Sequence, residues 1–309
     1  MNVYLKLMRV DQYIKNIIVL LPLLFSGELF VEGKILPALL GTFMFCLISS
    51  AVYIMNDIAD AKADAANPAK CHRPIASGRV PKRNAVLLCS VLVLIPVIVS
   101  FIWLPVMCGV LITIYFVMNI LYSMGLKNLM LLDTIIIVFG FVIRAIYGTV
   151  AADVYTSIWF YFMIASLVSF TTIGKRLNEK RRMMRTGVCI RKVLERMSED
   201  TIRICLYAAL LLTNIFFVIW ISDPTLNWTT NPLWTIPFMV LFTYKSFVII
   251  INNNTDHDPL PMFVRDKIWI ASLIVLIGSI VITFYVDVPI INGDASLITE
   301  PLSMMFLGA

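Results

Sequence analysis

Charge is what this sequence has least of. Asp, Glu, Lys and Arg make up 14% of its 309 residues, against roughly 25% in an ordinary soluble domain. Hydrophobic residues make up 60%, and the mean hydropathy is +0.89. A fold with so little polar surface does not have water as its main solvent. Metal-ligand and redox spacing is missing as well. The six cysteines (Cys46, Cys71, Cys89, Cys108, Cys189, Cys205) form no CxxC pair and no Cys/His cluster, which leaves them as small buried hydrophobes. Asp11, Gln12, Lys15 and Asn16 interrupt the first apolar run and no small-residue cleavage motif follows it, so no removable signal peptide is expected. The net charge of +6 is not accompanied by any soluble nucleic-acid-binding motif. The basic residues lie between apolar runs, where anionic headgroups and anionic substrates are the expected partners and nucleic acid is not.

What is present is a series of long apolar runs. A helix needs about 20 largely apolar residues to cross the hydrocarbon layer. On that rule the chain is an all-α, polytopic membrane protein with nine transmembrane helices, over 13–31, 36–58, 84–102, 104–122, 130–152, 154–172, 202–221, 233–252 and 267–286. Leu104-Pro105, Asp223-Pro224 and Asn231-Pro232 punctuate the runs, because proline cannot continue a helix. Lysine and arginine set the orientation. With the N-terminus cytoplasmic, 22 of the 25 fall on the cytoplasmic side, Lys34 falls opposite, and Arg144 and Lys245 fall inside runs. The expected location is the inner (plasma) membrane, with the C-terminus outside and residues 1–309 forming one domain. The two long loops, about 59–83 and 173–201, both face the cytoplasm, and functional residues favour such loops over a rigid scaffold.

The second run ends in Tyr53-Ile54-Met55-Asn56-Asp57-Ile58-Ala59-Asp60-Ala61-Lys62-Ala63-Asp64. On a helix Asp57, Asp60 and Asp64 share one face, with Asn56 four residues before Asp60. Three aligned carboxylates repel unless a cation sits between them, and hard oxygen ligands beside phosphates suit Mg²⁺. The plainer alternative is a solvated helix end. Lys70 and Arg73 follow and add cations of the kind a metal-bound pyrophosphate needs. His72 lies between them, either as an acid or base or as a solvated hydrogen-bonding side chain.

Asn56-Asp57-x-x-Asp60-x-x-x-Asp64, followed by Arg73-Pro74-Ile75-Ala76-Ser77-Gly78, resembles the first aspartate-rich motif of the UbiA superfamily of intramembrane prenyltransferases. The resemblance implies nine transmembrane helices around a cavity open to the cytoplasmic side, with Mg²⁺ held by Asn56, Asp57, Asp60 and Asp64 on a pyrophosphate substrate. Most members carry a second aspartate-rich motif after the sixth helix. This chain has Gly174-Lys175-Arg176-Leu177-Asn178-Glu179-Lys180-Arg181-Arg182 there. That departure, with Arg9 to Asn16, Tyr122 to Lys127 and Ile143 to Gly148, is similar to the decaprenyl-phosphate phosphoribosyltransferase branch. Members join the ribose of phosphoribosyl pyrophosphate to a polyprenyl phosphate.

On that resemblance Asp57, Asp60, Lys175 and Glu179 carry catalysis, while Lys15, Asn16, Lys70, Arg73, Tyr122, Lys127, Arg144 and Arg176 bind substrate. Both substrates are anionic, which gives a use to cations beyond those that one Mg²⁺-pyrophosphate requires. A charge at membrane depth costs about 2.5–3.5 kcal/mol on insertion scales, so Arg144 either faces the cavity or pairs with an acid such as Asp133, which is itself a further candidate for the site. Lys180 to Lys192 reads largely as a solvated or headgroup-binding face, and Lys245 as a snorkelling side chain. Two other classes remain in view. A prenyltransferase acting on an aromatic acceptor shares the first motif. A transporter predicts inverted repeats and polar residues through the midplane, whereas these acids crowd one edge.

Overall fold

The computed structural model describes residues 3–67, 70–123, 130–187, 197–252, 263, 265–288 and 291. All regular structure among them is helical: α1 (Val3–Met8), a 3₁₀ run (Val10–Val19), α2 (Leu21–Leu24), α3 (Ile35–Ala59), α4 (Ala61–Ala65), α5 (Lys82–Trp103), α6 (Val106–Ser123), α7 (Met130–Ala152), α8 (Ile158–Thr186), α9 (Glu199–Ile221), a 3₁₀ turn (Pro232–Thr235), α10 (Ile236–Asn252) and α11 (Lys267–Tyr285). Eight of these helices are long and apolar enough to cross a membrane, and they match the last eight expected runs closely. The chain divides into two compact units, residues 1–23 with 28–155, and residues 24–27 with 156–309.

The expected first span, 13–31, takes another form. Arg9 has a left-handed backbone (φ 52°) that turns the chain out of α1 and into the 3₁₀ run. Three residues per turn put Tyr13, Asn16 and Val19 in one line. Asn16 and Val19 are buried, and the Tyr13 hydroxyl is 2.9 Å from Ser50 Oγ on α3. Ile14 and Ile17 point outward. A 3.6-residue repeat would spread the three side chains over about 120° instead of one line. Ten residues at about 2 Å each rise roughly 20 Å, short of the ~30 Å hydrocarbon layer.

The core of the first unit is formed by Phe45, Ile48, Ile112, Tyr115, Ile143 and Tyr147 among others, with Val19 of the 3₁₀ run inserted. Phe45 lies 4.8 Å from the Tyr115 ring and 5.1 Å from the Tyr147 ring. Outward residues of α5 such as Leu87, Ile98 and Ile102 are exposed, as a lipid-facing surface requires.

In the second unit, Phe170, Leu177, Leu206, Ile249 and Ile250 form one core. Phe25, Phe160, Trp220, Trp228 and Phe284 form an aromatic chain, its members 3.9–6.2 Å apart. The main departure from expectation is that α8 runs on through Thr186, so residues 173–186 are helix and not loop. Gly187, with φ 68°, ends it, in the left-handed conformation that glycine adopts without penalty.

One close approach fixes the 3₁₀ run. A Cβ at Gly148 on α7 would lie 1.9 Å from the Val19 carbonyl oxygen, so only glycine lets the two backbones touch. Gly148→Ala is expected to destabilise the protein by at least about 1–3 kcal/mol, the scale of core overpacking. Thermal unfolding in detergent measures this, and an unchanged melting temperature would contradict the packing.

Candidate functional site

The acidic end of α3 is bent. The helix stops at Asp60 (φ −88°, ψ 2°), whose N–H still donates to the Asn56 carbonyl at 2.9 Å, and α4 begins at once. Asp64 lies two turns on from Asp57, and its own N–H donates to the Asp60 carbonyl at 2.8 Å. Asp57 and Asp64 are both 3% exposed, and both bond the same guanidinium: Arg73 Nη1 lies 3.1 Å from Asp57 Oδ1 and 2.7 Å from Asp64 Oδ2. Arg9 Nη2 donates to Asp57 Oδ1 at 2.6 Å while its guanidinium sits 4.8 Å over the Tyr53 ring. Lys70 Nζ is 3.8 Å from Asp64 Oδ1. Asp60 is half-buried at the break.

Arg73 is held in place by its loop. The Ser77 N–H and hydroxyl both donate to the Arg73 carbonyl, Val80 N–H donates to Pro74 O at 3.0 Å, and Gly78 turns with φ 74°. Ile75 and Val80 are buried with Leu7, Ala51, Ile54 and Ala61, which pins the loop to α3 and α4. His72 is exposed, and its carbonyl accepts from Arg79, in keeping with the solvated reading.

This locus fits Mg²⁺ of the substrate-borne kind. Among the described residues no three Asp, Glu, His or Cys side chains gather as a metal shell. Mg²⁺ on a phosphate substrate is commonly bound through one or two carboxylates, with substrate oxygens and waters filling the rest. Asp57 and Asp64 meet that requirement, since they already converge on a cation. Of the other expected ligands, Asn56 takes a hydrogen bond on Oδ1 from Ser123 and Asp60 stands at the break.

The remaining candidates in this unit fall into two groups. Arg144, 6% exposed, donates from Nε to Asn16 Oδ1 (2.8 Å), from Nη1 to Gly140 O (2.7 Å), and from Nη2 to the Tyr115 hydroxyl (2.7 Å) and Ser49 Oγ (3.4 Å). The rings of Tyr115, Phe141 and Phe45 lie 4.8–5.2 Å from its guanidinium. Among the described residues no carboxylate pairs with it. Asp133, the acid considered for that role, instead accepts from the Tyr122 hydroxyl at 2.7 Å. Asn16 is 1% exposed and spends Oδ1 on Arg144 and Ser49 and Nδ2 on Cys46. Asn16 and Arg144 thus form a buried knot, and not an open phosphate-binding mouth. Lys15 is half-buried, and Lys127 lies outside the described residues.

In the second unit the candidates lie on α8. Arg176 Nη1 bonds Glu179 Oε2 at 2.6 Å, one turn apart and mostly buried. Lys175 is half-buried and Lys180 buried. Arg181 is not a solvated side chain: it bonds Glu199 at 3.0 Å and the Ile251 carbonyl at 2.8 Å, tying α8 to α9 and α10. Lys245 pairs with Asp266 at 2.9 Å. The backbone N–H of Trp269 and this ammonium hold the Asp266 carboxyl below its ordinary range. Sequence reasoning assigned no role to Arg9, Ser49, Tyr115 or Ser123. Arg9 sat inside a quoted motif, and no positional signal marked the others.

A family model described as the UbiA prenyltransferase family matches residues 18–273. The decaprenyl-phosphate phosphoribosyltransferase of Mycolicibacterium smegmatis is 37% identical over 203 residues, 64% of this chain and 64% of that protein. That of Corynebacterium glutamicum is 31% identical over 242 residues, 77% of this chain and 73% of that protein. A structure of a UbiA homolog from Archaeoglobus fulgidus bound to DMAPP and Mg²⁺ superposes with a TM-score of 0.70 over 92% of this chain and 99% of that one, at 14% identity, a likeness of fold.

The bridging role of Arg73 has a direct consequence. Arg73→Met is expected to cost roughly 1.5–3 kcal/mol of stability, the range for a charged hydrogen bond. Arg79→Met, whose contacts are exposed, should stay within about 0.5 kcal/mol. Equal losses in thermal unfolding would contradict the bridge.

Proposed function

The chain belongs to the UbiA prenyltransferase family, and we propose that within it this multi-pass membrane protein transfers a 5-phosphoribosyl group from phosphoribosyl pyrophosphate to a polyprenyl phosphate. The observation that carries the reading is the basic second motif. Lys175 and Arg176 stand with Glu179 on α8, where a prenyltransferase acting on an aromatic acceptor would carry acids. A second anionic group on the substrates is what that exchange accommodates. The names of the 31–37% identical relatives point the same way.

In the reaction an oxygen of the lipid phosphate bonds ribose C1 as the bond from C1 to the pyrophosphate oxygen breaks. The attacking oxygen is already anionic at neutral pH, so no strong general base is required. Asp57 and Asp64, with Asp60 and Asn56 beside them, would hold Mg²⁺ on the pyrophosphate. The bound metal would neutralise charge on the leaving group. Guanidinium groups pair with phosphate as they do with carboxylate, so Arg9 and Arg73 would turn donors toward the pyrophosphate, with Lys70 adding charge. Lys175 and Arg176 would hold the second phosphate, Glu179 fixing the Arg176 fork, and Lys15, Tyr122 and Lys127 would contribute at the substrate. Asn16 and Arg144 would act by positioning, since their polar atoms are committed to each other and to α3 and α6. On the loop charge bias both motifs would lie on the cytoplasmic face, so cysteines introduced as Arg79→Cys and Arg182→Cys should be labelled only from that side.

The test is reconstitution with labelled phosphoribosyl pyrophosphate and polyprenyl phosphate. A ribosylated lipid and free pyrophosphate are expected, with no product from 4-hydroxybenzoate and a prenyl diphosphate. Asp57→Asn or Asp60→Asn should lower turnover by about 10²-fold or more, the scale of losing one preorganised electrostatic element. EDTA should abolish activity and Mg²⁺ restore it. Arg176→Ala should lower kcat/KM roughly ten- to a hundred-fold. A prenylated aromatic with no ribosylated lipid would overturn the reading.

A further inference from the structure

A groove of about 480 Å³ runs between α3, α5 and α6, lined by Met55 and Ile58, by Val86, Ser90 and Leu94, and by Phe116. Its volume falls in the range of about 300–1,000 Å³ typical of sites for small molecules. All three helices belong to the first unit. Val86, Ser90 and Leu94 are exposed, so the groove opens on the surface that meets lipid.

The wall is arranged to stay dry. Its two polar side chains are Cys89 and Ser90. The Cys89 thiol donates to the Ala51 carbonyl at 3.5 Å, and the Ser90 hydroxyl to the Val86 carbonyl at 3.1 Å. Both protons are thus spent inside the protein, whereas a held water needs roughly two to four polar partners. Left empty, the groove forfeits dispersion contacts along its whole lining. An apolar chain fills it best. From Val86 to Leu94 the helix rises about 12 Å, most of one leaflet of a ~30 Å hydrocarbon layer.

Charge at the mouth selects the headgroup. Lys82 and Arg83 open α5 about one turn before Val86. At about 100° per residue, both lie within roughly 50° of the middle of the α5 face that lines the groove. Both are exposed, no acid stands in the first turn of α5, and neither cation meets a carboxylate among the described residues. Two cations above an apolar groove complement an anionic head above an apolar tail. We propose that the groove binds an anionic phospholipid, its headgroup on Lys82 and Arg83 and one acyl chain between Met55, Ser90 and Phe116. The acceptor lipid of the transfer is a poorer fit, because Asp57 lies about 130° round α3 from the midline of Met55 and Ile58. A chain in the groove therefore lies behind the acids, where it supports the last turns of α3 before the break at Asp60. The proposal holds whichever group the enzyme transfers.

The experiment uses the full-length protein, freed of lipid in detergent. Binding of phosphatidylglycerol, and of phosphatidylcholine with the same chains, is followed by native mass spectrometry, and each protein is melted with and without lipid. Ser90→Trp fills the groove. Val91→Trp places the same side chain at the same depth outside it, since Val91 is exposed and does not line the groove. Lys82→Gln combined with Arg83→Gln removes the charge and leaves the groove open. Wild type and Val91→Trp should hold one phosphatidylglycerol at least about ten-fold more tightly than phosphatidylcholine, and its binding should raise their melting temperature. Ser90→Trp should lose that molecule and that rise, and the double charge variant should bind the two lipids within a few-fold of each other. Wild-type affinity in Ser90→Trp, or an undiminished preference in the double variant, would overturn the site. Tighter binding of polyprenyl phosphate than of phosphatidylglycerol, lost in Ser90→Trp, would give the groove to the acceptor and overturn the phospholipid.

Discussion

Two carboxylates at the end of an apolar helix repel each other, and the bilayer edge offers little water to screen them. The first unit is organised around that constraint. Asp57 and Asp64, on either side of the break at Asp60, meet one guanidinium at 3.1 and 2.7 Å. The Arg73 loop is pinned by Ile75 and Val80, and the left-handed turn at Arg9 delivers a second cation to Asp57 at 2.6 Å. That turn also starts the 3₁₀ run, whose period of three sets Asn16 beside Arg144. Geometry that gathers carboxylates and guanidinium groups at one point is also what a magnesium pyrophosphate needs, because both partners are already aimed there.

Arg144 and Arg176 show how the same side chain serves different ends. Arg144 is surrounded by neutral acceptors and ring faces, which spread its charge with no carboxylate partner among the described residues and lock α7 to α3 and α6. Arg176 bonds the Glu179 carboxylate, one turn along, at 2.6 Å. The planar guanidinium matches phosphate geometry as it does carboxylate, a property suited to a substrate phosphate. The first arginine shapes the scaffold, and the second is the one proposed to meet the substrate.

Eight membrane-length helices were legible because twenty apolar residues in a row carry an unambiguous signal. The local form of 13–31 was not legible: its apolar content is high, but Val10–Val19 is a 3₁₀ run that sets Tyr13, Asn16 and Val19 in one line. Residues 173–186 read as loop because their charge ends the apolar run. Lys, Arg, Leu and Glu are nonetheless good helix formers, and α8 continues through them. The spacing of the aspartates was legible, whereas the break at Asp60 and the guanidinium shared by Asp57 and Asp64 were not. Arg73 could be placed near the acids by sequence proximity. Arg9 lies 48 residues from Asp57, and only the folded chain pairs them.

The central claim is that Asp57 and Asp64 form a cation site completed by the pyrophosphate of the substrate. Mn²⁺, a spectroscopically visible stand-in for Mg²⁺, tests it directly when its binding is followed by electron paramagnetic resonance with and without phosphoribosyl pyrophosphate. Weak binding alone, much tighter binding with the pyrophosphate present, and loss of that gain in Asp57→Asn are the predicted results. Equal affinity in both conditions, or an undiminished gain in Asp57→Asn, would contradict the account.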